Sequence, residues 1–126
     1  MIDPGCASGF NRDEGNTRKN ENNTPRFVVI FRAKTRQIDD EYTQVAARMR
    51  ELALGQFGCL EFTAVTEGQN EIALSYWPSE EHIRAWKAHS KHVLAQQLGR
   101  ERWYESYTVQ VAEITREYRF APSLDT

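Results

Sequence analysis

The pattern of apolar and polar positions divides the chain near residue 25. Residues 1–25 are rich in Asn, Gly, Asp, Glu and Arg, and their few apolar residues follow no period. This composition predicts a disordered leader. From Arg26 to about Phe120 the apolar positions become periodic. We therefore expect one folded domain over residues 26–120, followed by a short tail over residues 121–126.

The first part of the domain predicts a strand followed by a helix. The run RFVVIFRAKT from Arg26 is β-branched and aromatic, with apolar side chains on both faces, which is typical of a central strand. Asp39 and Asp40 then offer a cap and favourable charge for a helix start. Gly55 is predicted to end that helix in the left-handed conformation. The helix buries a stripe at three- and four-residue spacing, made of Tyr42, Val45, Ala46, Met49, Leu52 and Ala53.

The middle of the domain predicts a hairpin and a second helical region. Two alternating runs flank residues 67–70, a short loop that contains glycine. Pro78 ends the second run, and Ser79 caps a helix that we expect to reach Gly99. Ser90 is a candidate break in this helix. The residues predicted near its buried face are Ile83, Trp86, Leu94, Gln97 and Leu98.

A final strand is predicted from about residue 102 to residue 120. Its apolar positions change parity between Val111 and Ile114, which predicts a bulge or a change of partner surface. Unbroken, it would be about 60 Å long at roughly 3.3 Å per residue. A small sheet cannot pair so long a strand, so we expect its end to cross to a second chain.

The predicted order is strand, helix, strand, strand, helix, strand. This order indicates an α+β fold of the ferredoxin-like βαββαβ type, with both helices on one face of a four-stranded antiparallel sheet. The other face of the sheet is also apolar in places and needs a cover. We expect a homodimer in which two such sheets pair as a dimeric α/β barrel.

Charge and cysteine content narrow the class of partner. The 16 Lys and Arg residues nearly balance the 18 Asp and Glu residues, without a long block of one sign, so neither nucleic acid nor a membrane is expected as partner. Cys6 and Cys59 have no metal-type spacing. The N-terminus lacks the apolar region of a secretory signal, which favours a cytoplasmic location. The glycine motifs that bind nucleotides are missing, and we expect no cofactor and no metal.

Candidate chemistry is concentrated between Tyr76 and Tyr107. This stretch holds all three tryptophans, all three histidines and three of the five tyrosines. Indole faces hold flat molecules, and imidazole is the side chain that ordinarily exchanges protons near neutral pH. The same rings could equally be core packing, and His89 and His92 could be solvated or lie at an interface. The candidate catalytic residues are His89 and His92, and the candidate substrate-binding residues are Phe31, Tyr76, Trp77 and Trp86.

The segment YWPSEEHIRAW, in its place after a predicted hairpin, resembles the antibiotic biosynthesis monooxygenase family of dimeric α/β-barrel proteins. The resemblance covers residues 26–120 and implies a homodimer with one pocket per subunit between sheet and helices. Members include cofactor-independent monooxygenases that act on aromatic polyketides and quinols, and monooxygenases that degrade haem.

The resemblance carries over to some site positions and not to others. Trp77 matches a pocket tryptophan of the quinone-forming enzymes, whereas Ala73 and Ile83 stand where those enzymes have Asn and Tyr. The Asn, Trp and His of the haem-degrading enzymes correspond to Phe31, Trp86 and Gln96 in this chain.

Three functions follow as hypotheses. The first is a cofactor-independent monooxygenase that oxidises a small aromatic or quinol-type compound with O₂, after His89 or His92 removes a proton. The alternative is a non-catalytic binder of a flat hydrophobic ligand, such as haem or a metabolite. The third is a structural dimeric module in which the aromatic residues only pack.

Overall fold

A computed structural model describes residues 24–122 of the chain, without the side chains of residues 90 and 91. Most of the predicted leader, residues 1–23, and the last four residues of the predicted tail lie outside the described part. The proposed limits of leader and tail therefore stay predictions.

The described residues form four strands and three helices in the predicted order. The sheet order is β2-β3-β1-β4 and every neighbouring pair is antiparallel, which confirms the α+β, ferredoxin-like arrangement. The elements are β1 (Phe27–Thr35), α1 (Asp40–Gly55), β2 (Glu61–Glu67), β3 (Asn70–Trp77), α2 (Glu80–Lys87), α3 (Ser90–Leu98), a π-helical turn (Gly99–Trp103) and β4 (Tyr104–Glu113).

The central strand β1 determines which side chains face the helices. Phe31 pairs with Ala73 of β3 on one side and with Val109 of β4 on the other. Because side chains of paired residues share a face, alternate residues of β1 and β3 form one inner face that packs on the helices. The buried members of this face on β1 and β3 are Val29, Phe31, Ala33, Thr35, Glu71, Ala73, Ser75 and Trp77.

Two glycines with positive φ shape the turns around β2. Gly68, with a φ of 63°, and Gln69 form the two-residue turn between β2 and β3, as the hairpin pattern predicts. The left-handed residue after α1 is Gly58, with a φ of 87°, and the prediction for Gly55 is wrong. The helix instead ends with the amide of Gln56 donating to the carbonyl of Leu52 at 2.9 Å.

The second helical region is broken, and the break changes which side chains face the core. Helix α2 ends at Lys87 and α3 begins at Ser90, so the predicted break is confirmed. The change of direction brings His92 and Ala95 inward and leaves Leu94 56% exposed. The predicted inward position of Leu94 was wrong because it assumed one straight helix.

Strand β4 is shorter than its sequence pattern predicts. It ends at Glu113, opposite Phe27, where β1 itself begins. One further bond joins the amide of Ile114 to the carbonyl of Arg26, at 2.8 Å, and residues 114–122 form no strand. The irregularity in the ladder lies at the start of β4, where Tyr104 pairs with Thr35, and not at the change of apolar parity.

Asp39 joins the start of α1 to the start of β4. One of its carboxylate oxygens accepts from the Tyr42 amide at 2.9 Å and from the Trp103 indole at 3.1 Å. The other lies 2.6 Å from Arg102, which also bonds Glu41 at 2.7 Å. The N-cap that the sequence predicts is therefore also the anchor of the π-helical turn.

Replacing Asp39 with Ala should lower the midpoint of thermal unfolding further than replacing Asp40 with Ala. The first change removes the cap and the Trp103 acceptor, each worth about 1 kcal/mol, while the half-exposed ion pair adds little. For a domain of this size, about 1 kcal/mol corresponds to roughly 4–8 °C. Circular dichroism melts of both variants test this, and equal midpoints would show that Asp39 anchors neither element.

Candidate functional site

Trp77, Trp86 and His92 meet between the sheet and the broken helix. The rings of Trp77 and Trp86 lie 6.1 Å apart, and the His92 ring stands edge-on to Trp86 with 4.0 Å between the ring centroids. All three side chains are at most 1% exposed. Three of the predicted site residues thus form one buried indole-imidazole cluster.

The two indole N–H groups of this cluster differ in their hydrogen bonding. The Nε1–H of Trp77 donates to Ser75 Oγ at 2.9 Å. The Nε1–H of Trp86 is buried and finds no acceptor among residues 24–122. A buried donor without a partner costs about 1–3 kcal/mol and is rare in folded proteins. Trp86 is therefore the member of the cluster that can still bind an acceptor oxygen.

The helix break places His92 over Trp86. The amide of His89 donates to the carbonyl of Trp86 at 2.9 Å, and the amides of His92 and Val93 both donate to the carbonyl of His89 at 3.0 Å. These bonds end α2 and begin α3 within a few residues. His92 is thus positioned by a turn, which a straight-helix projection cannot show.

The other predicted site residues lie at different places. Phe31 lies in the same inner layer, with ring centroids 5.3 Å from Tyr104 and 5.5 Å from Tyr107. His89 is half-buried and stands edge-on to Phe57 at 5.2 Å. Tyr76 lies on the opposite face of the sheet, because it follows Ser75 and precedes Trp77 in an alternating strand. The structure therefore brings Trp77, Trp86 and His92 together and separates Tyr76 from them.

A second polar feature of the inner layer was missed from the sequence. Glu71 is 3% exposed, and both oxygens of its carboxyl lie near the Tyr42 hydroxyl, at 2.7 and 2.8 Å. Burial raises the pKa of this carboxyl from 4.5 to about 7. The signal was present in β3, where Glu71 occupies an inward position of the alternating run that continues with Ala73, Ser75 and Trp77.

Within residues 24–122, no three His, Cys, Asp or Glu side chains come close enough together to hold a metal ion. The third histidine, His82, lies in the first turn of α2 with its Nδ1 2.6 Å from Ser79 Oγ, the cap of that helix. No helix of the described part is long and apolar enough to cross a membrane.

The fold and the buried cluster define a ferredoxin-like domain with an aromatic interior that contains a buried imidazole, and comparison with known proteins narrows this class. No model of a known protein family matches the chain. Over 97 residues the chain is 39% identical to the "Uncharacterized protein YqjZ" of Bacillus subtilis (strain 168), an alignment that covers 76% of this chain and 85% of that protein. The chain belongs to the same protein family as YqjZ.

A more distant relative has a named activity. Over 97 residues the chain is 26% identical to the "Jasmonate monooxygenase ABM" of Pyricularia oryzae, across 74% of this chain and 45% of that enzyme. The chain therefore matches less than half the length of this monooxygenase. The likeness is distant, and it points to the same group of monooxygenases that the YWPSEEHIRAW segment resembles.

Proposed function

We propose that this protein is a monooxygenase that oxidises a small aromatic or quinol-type compound with O₂, without a cofactor. The observation on which the proposal depends is the buried Trp86 N–H beside the His92 ring, an unused donor next to a base. The distant likeness to a monooxygenase supports the same reaction type.

In the proposed mechanism, a flat substrate lies against the indoles and one of its oxygens accepts the Trp86 N–H. Because Trp86 and His92 are buried, entry of the substrate requires α3 to move away from α2 at the helix break. A ligand oxygen on Trp86 would recover the cost of the unpartnered donor, which favours the bound state.

His92 then removes a phenolic or C–H proton, and the electron pair of the broken bond stays on the substrate as an electron-rich anion. The anion reduces O₂ directly. One oxygen atom of O₂ bonds to a ring carbon of the quinol in place of its hydrogen, and the other leaves as water. Oxidation of that ring carbon supplies two electrons and oxidation of the quinol to the quinone supplies the other two, so no external reductant is needed.

The test is O₂ uptake by the pure protein in the presence of a naphthoquinol, with labelled O₂ and mass spectrometry of the product. We expect uptake above the spontaneous rate and one labelled oxygen atom in each product molecule. Spontaneous oxidation to the quinone adds no oxygen atom, so the label separates the two reactions. Absence of label in the product would overturn the monooxygenase proposal.

Titration of the protein with the same naphthoquinol distinguishes a non-catalytic binder from an enzyme. Trp77 and Trp86 would report a bound flat ligand through quenching of their fluorescence. Saturable quenching without oxygen incorporation would favour a non-catalytic binder of a flat hydrophobic ligand. If neither quenching nor oxygen incorporation is seen, the structural dimeric module is the remaining hypothesis.

We further propose that the protein is a homodimer whose two sheets pair through their outer faces. On this face Val65 is 62% exposed and Ile72 is 41% exposed, while Val28, Ile30 and Leu74 are half-buried. A contiguous apolar face of this kind favours a covering surface, and a second copy supplies one with matching geometry. The strongly exposed rings of Tyr118 and Phe120, beyond the end of β4, would also be covered by the second chain.

Replacing Ile72 with Lys should convert the dimer to a monomer. The substitution puts a charge within the proposed sheet-sheet contact, where burial of that charge would be costly. Replacing Val93 with Lys is the matched control, because Val93 is 50% exposed on α3, away from that face. Light scattering should give twice the chain mass of 14.6 kDa for the wild type and the control. An Ile72→Lys variant that stays dimeric contradicts the proposed contact.

A further inference from the structure

Strand β4 carries apolar side chains that lie on the helix-facing side of the sheet and yet stay open to solvent. Val109 pairs with Phe31 of β1 and Val111 pairs with Val29, so both belong to the inner face. Val109 is half-buried and Val111 is 48% exposed, whereas Val29 and Phe31 are fully buried. The helices therefore cover the centre of the inner face and leave the second half of β4 uncovered.

The opposite edge of the sheet shows that an edge position alone does not cause this exposure. Phe62 lies on the inner face of the other edge strand, β2, because it pairs with Ser75. It is only 8% exposed. Helix α1 reaches this edge, since Arg50 of that helix donates to the carbonyl of Phe62 at 3.1 Å. The inner face is thus closed along β2 and open beside Val111.

A hydroxyl group and a cation stand at one end of the open part of β4. Tyr107 is the preceding inner-face residue and is half-buried, with its ring centroid 5.5 Å from that of Phe31. The Tyr107 hydroxyl oxygen accepts from Arg100 Nη1 at 3.1 Å. We call the inner-face side chains of Tyr107, Val109 and Val111 the β4 stretch. From Tyr107 to its far end it is about 13 Å long, since each residue rises roughly 3.3 Å.

The π-helical turn before β4 holds the backbone of Arg100 in place on both sides. On one side, a Cβ atom on Gly99 would lie 2.9 Å from the ring of Tyr104, so only glycine lets the turn approach this ring. On the other side, the Trp103 indole donates to Asp39 at 3.1 Å. Single π-helical turns are rare and occur frequently at functional sites. The turn therefore presents Arg100 to the β4 stretch from a fixed position.

Arg100 has hydrogen-bonding capacity that the fold does not use. Its neighbour Arg102 forms ion pairs with Asp39 and Glu41. No carboxylate of residues 24–122 forms an ion pair with Arg100, and its bond to Tyr107 uses one of five N–H donors. The Tyr107 hydroxyl, in turn, donates its own proton to no acceptor in that part of the chain. A planar guanidinium with free N–H groups beside a hydroxyl is suited to a carboxylate.

We propose that the β4 stretch binds a small carboxylate with a flat apolar body. The carboxylate accepts from Arg100 and from the Tyr107 hydroxyl, and the apolar body removes Val109 and Val111 from water. This site is separate from the indole cluster, because the β1 partners of Tyr107 and Trp77 are six residues apart, roughly 20 Å along the strand. It also lies on the face opposite to the proposed dimer contact. The inference is therefore independent of the proposed oxidation.

The test compares 2-naphthoate with 2-naphthamide by calorimetric titration of the full chain at about pH 7, where a carboxylic acid is ionised. The two probes have the same fused rings, and only the first carries a charge. We expect the wild type to bind naphthoate about tenfold or more tightly than the amide, the size of one charge-assisted hydrogen bond. Equal affinities, or no binding of naphthoate, would overturn the inference.

Two variants and a control identify the cation. Arg100→Gln should lower the affinity for naphthoate to that for naphthamide and leave the amide unchanged, because the apolar stretch is intact. Arg100→Lys keeps the charge without the planar fork and should retain part of the preference. Arg48→Gln removes an exposed arginine of α1, paired there with Glu51, and should behave as the wild type. A preference that survives in Arg100→Gln, or is lost equally in Arg48→Gln, contradicts the proposed site.

Methyl NMR spectra of the wild type locate the ligand without any substitution. Binding of naphthoate should shift the methyl signals of Val109 and Val111, because an aromatic ring placed on them changes their local field. The methyl signals of Val65, exposed on the outer face, should stay in place. Shifts at Val65 alone would overturn the inference. Shifts at Val109 and Val111, with a preference that depends on Arg100, support it whether or not the protein incorporates oxygen into a naphthoquinol.

Discussion

Replacing His92 with Ala should lower the rate of naphthoquinol oxidation by about 10²- to 10⁴-fold. This is the usual contribution of a general base placed on the reacting proton. His92 is the imidazole that the structure holds against Trp86, at 4.0 Å between ring centroids, and only a base at that place can act on a substrate bound there. Steady-state O₂ uptake should show the loss mainly in kcat, because the substrate still binds to the indoles.

His89→Ala is the matched control for this prediction. His89 is half-buried, with its ring against Phe57. Its replacement with Ala should lower the oxidation rate less than about tenfold. Added imidazole should restore part of the activity of His92→Ala, because the small base can enter the space that the side chain leaves. A packing defect would not respond to imidazole. Full activity in His92→Ala, or a larger loss in His89→Ala, would contradict the assignment of the base.

The order and type of the elements could be predicted because local patterns and the sheet agree. The alternation around residues 67–70 corresponds to β2 and β3, and the apolar stripe from Tyr42 to Ala53 corresponds to α1. The extent of β4 could not be predicted in the same way. Strand length depends on the partner backbone, and β1 begins at Phe27, so the apolar residues beyond Glu113 have no neighbour within the sheet.

The sequence indicates Trp77, Trp86 and His92 as candidates, and the structure places these three side chains together. Distinguishing His92 from His89 requires the turn between α2 and α3, which the sequence pattern alone does not give. The candidates from the sequence include both Tyr76 and Trp77, although neighbours in a strand face opposite sides of a sheet.

The sequence does not indicate Glu71 as a proton-exchanging group, because histidine is the side chain that ordinarily titrates near neutral pH. A glutamate ordinarily titrates far lower, and only its surroundings in the fold change that. The inward register position of Glu71 in an otherwise apolar and small-residue run was the available signal. The hydrogen bond from Tyr42 to Glu71 could not be predicted from the sequence, because Tyr42 lies 29 residues earlier, within the apolar stripe of α1.

Replacing Glu71 with Gln should make the protein more stable above neutral pH and leave it almost unchanged in acid. The pKa of Glu71 is about 7 in the folded chain and 4.5 ordinarily, so between these values the folded state keeps a proton that the unfolded state has released. Stability of the wild type therefore falls as pH rises through this window. The full loss, reached at about pH 8, is up to about 3 kcal/mol at roughly 1.4 kcal/mol per pKa unit.

Glutamine removes this loss because it cannot ionise, and its side-chain oxygen can still accept the Tyr42 hydroxyl. Urea unfolding of both proteins at about pH 5 and about pH 8 measures the effect, with Glu67→Gln as the control for loss of a surface charge. We expect nearly parallel curves for wild type and control, and a free energy of unfolding for Glu71→Gln that changes little between the two pH values. If the wild type is as stable at about pH 8 as at about pH 5, the carboxyl is ionised at no cost in the fold. In that case the pKa of Glu71 is not raised in the folded protein, and Glu71 would not exchange a proton near neutral pH.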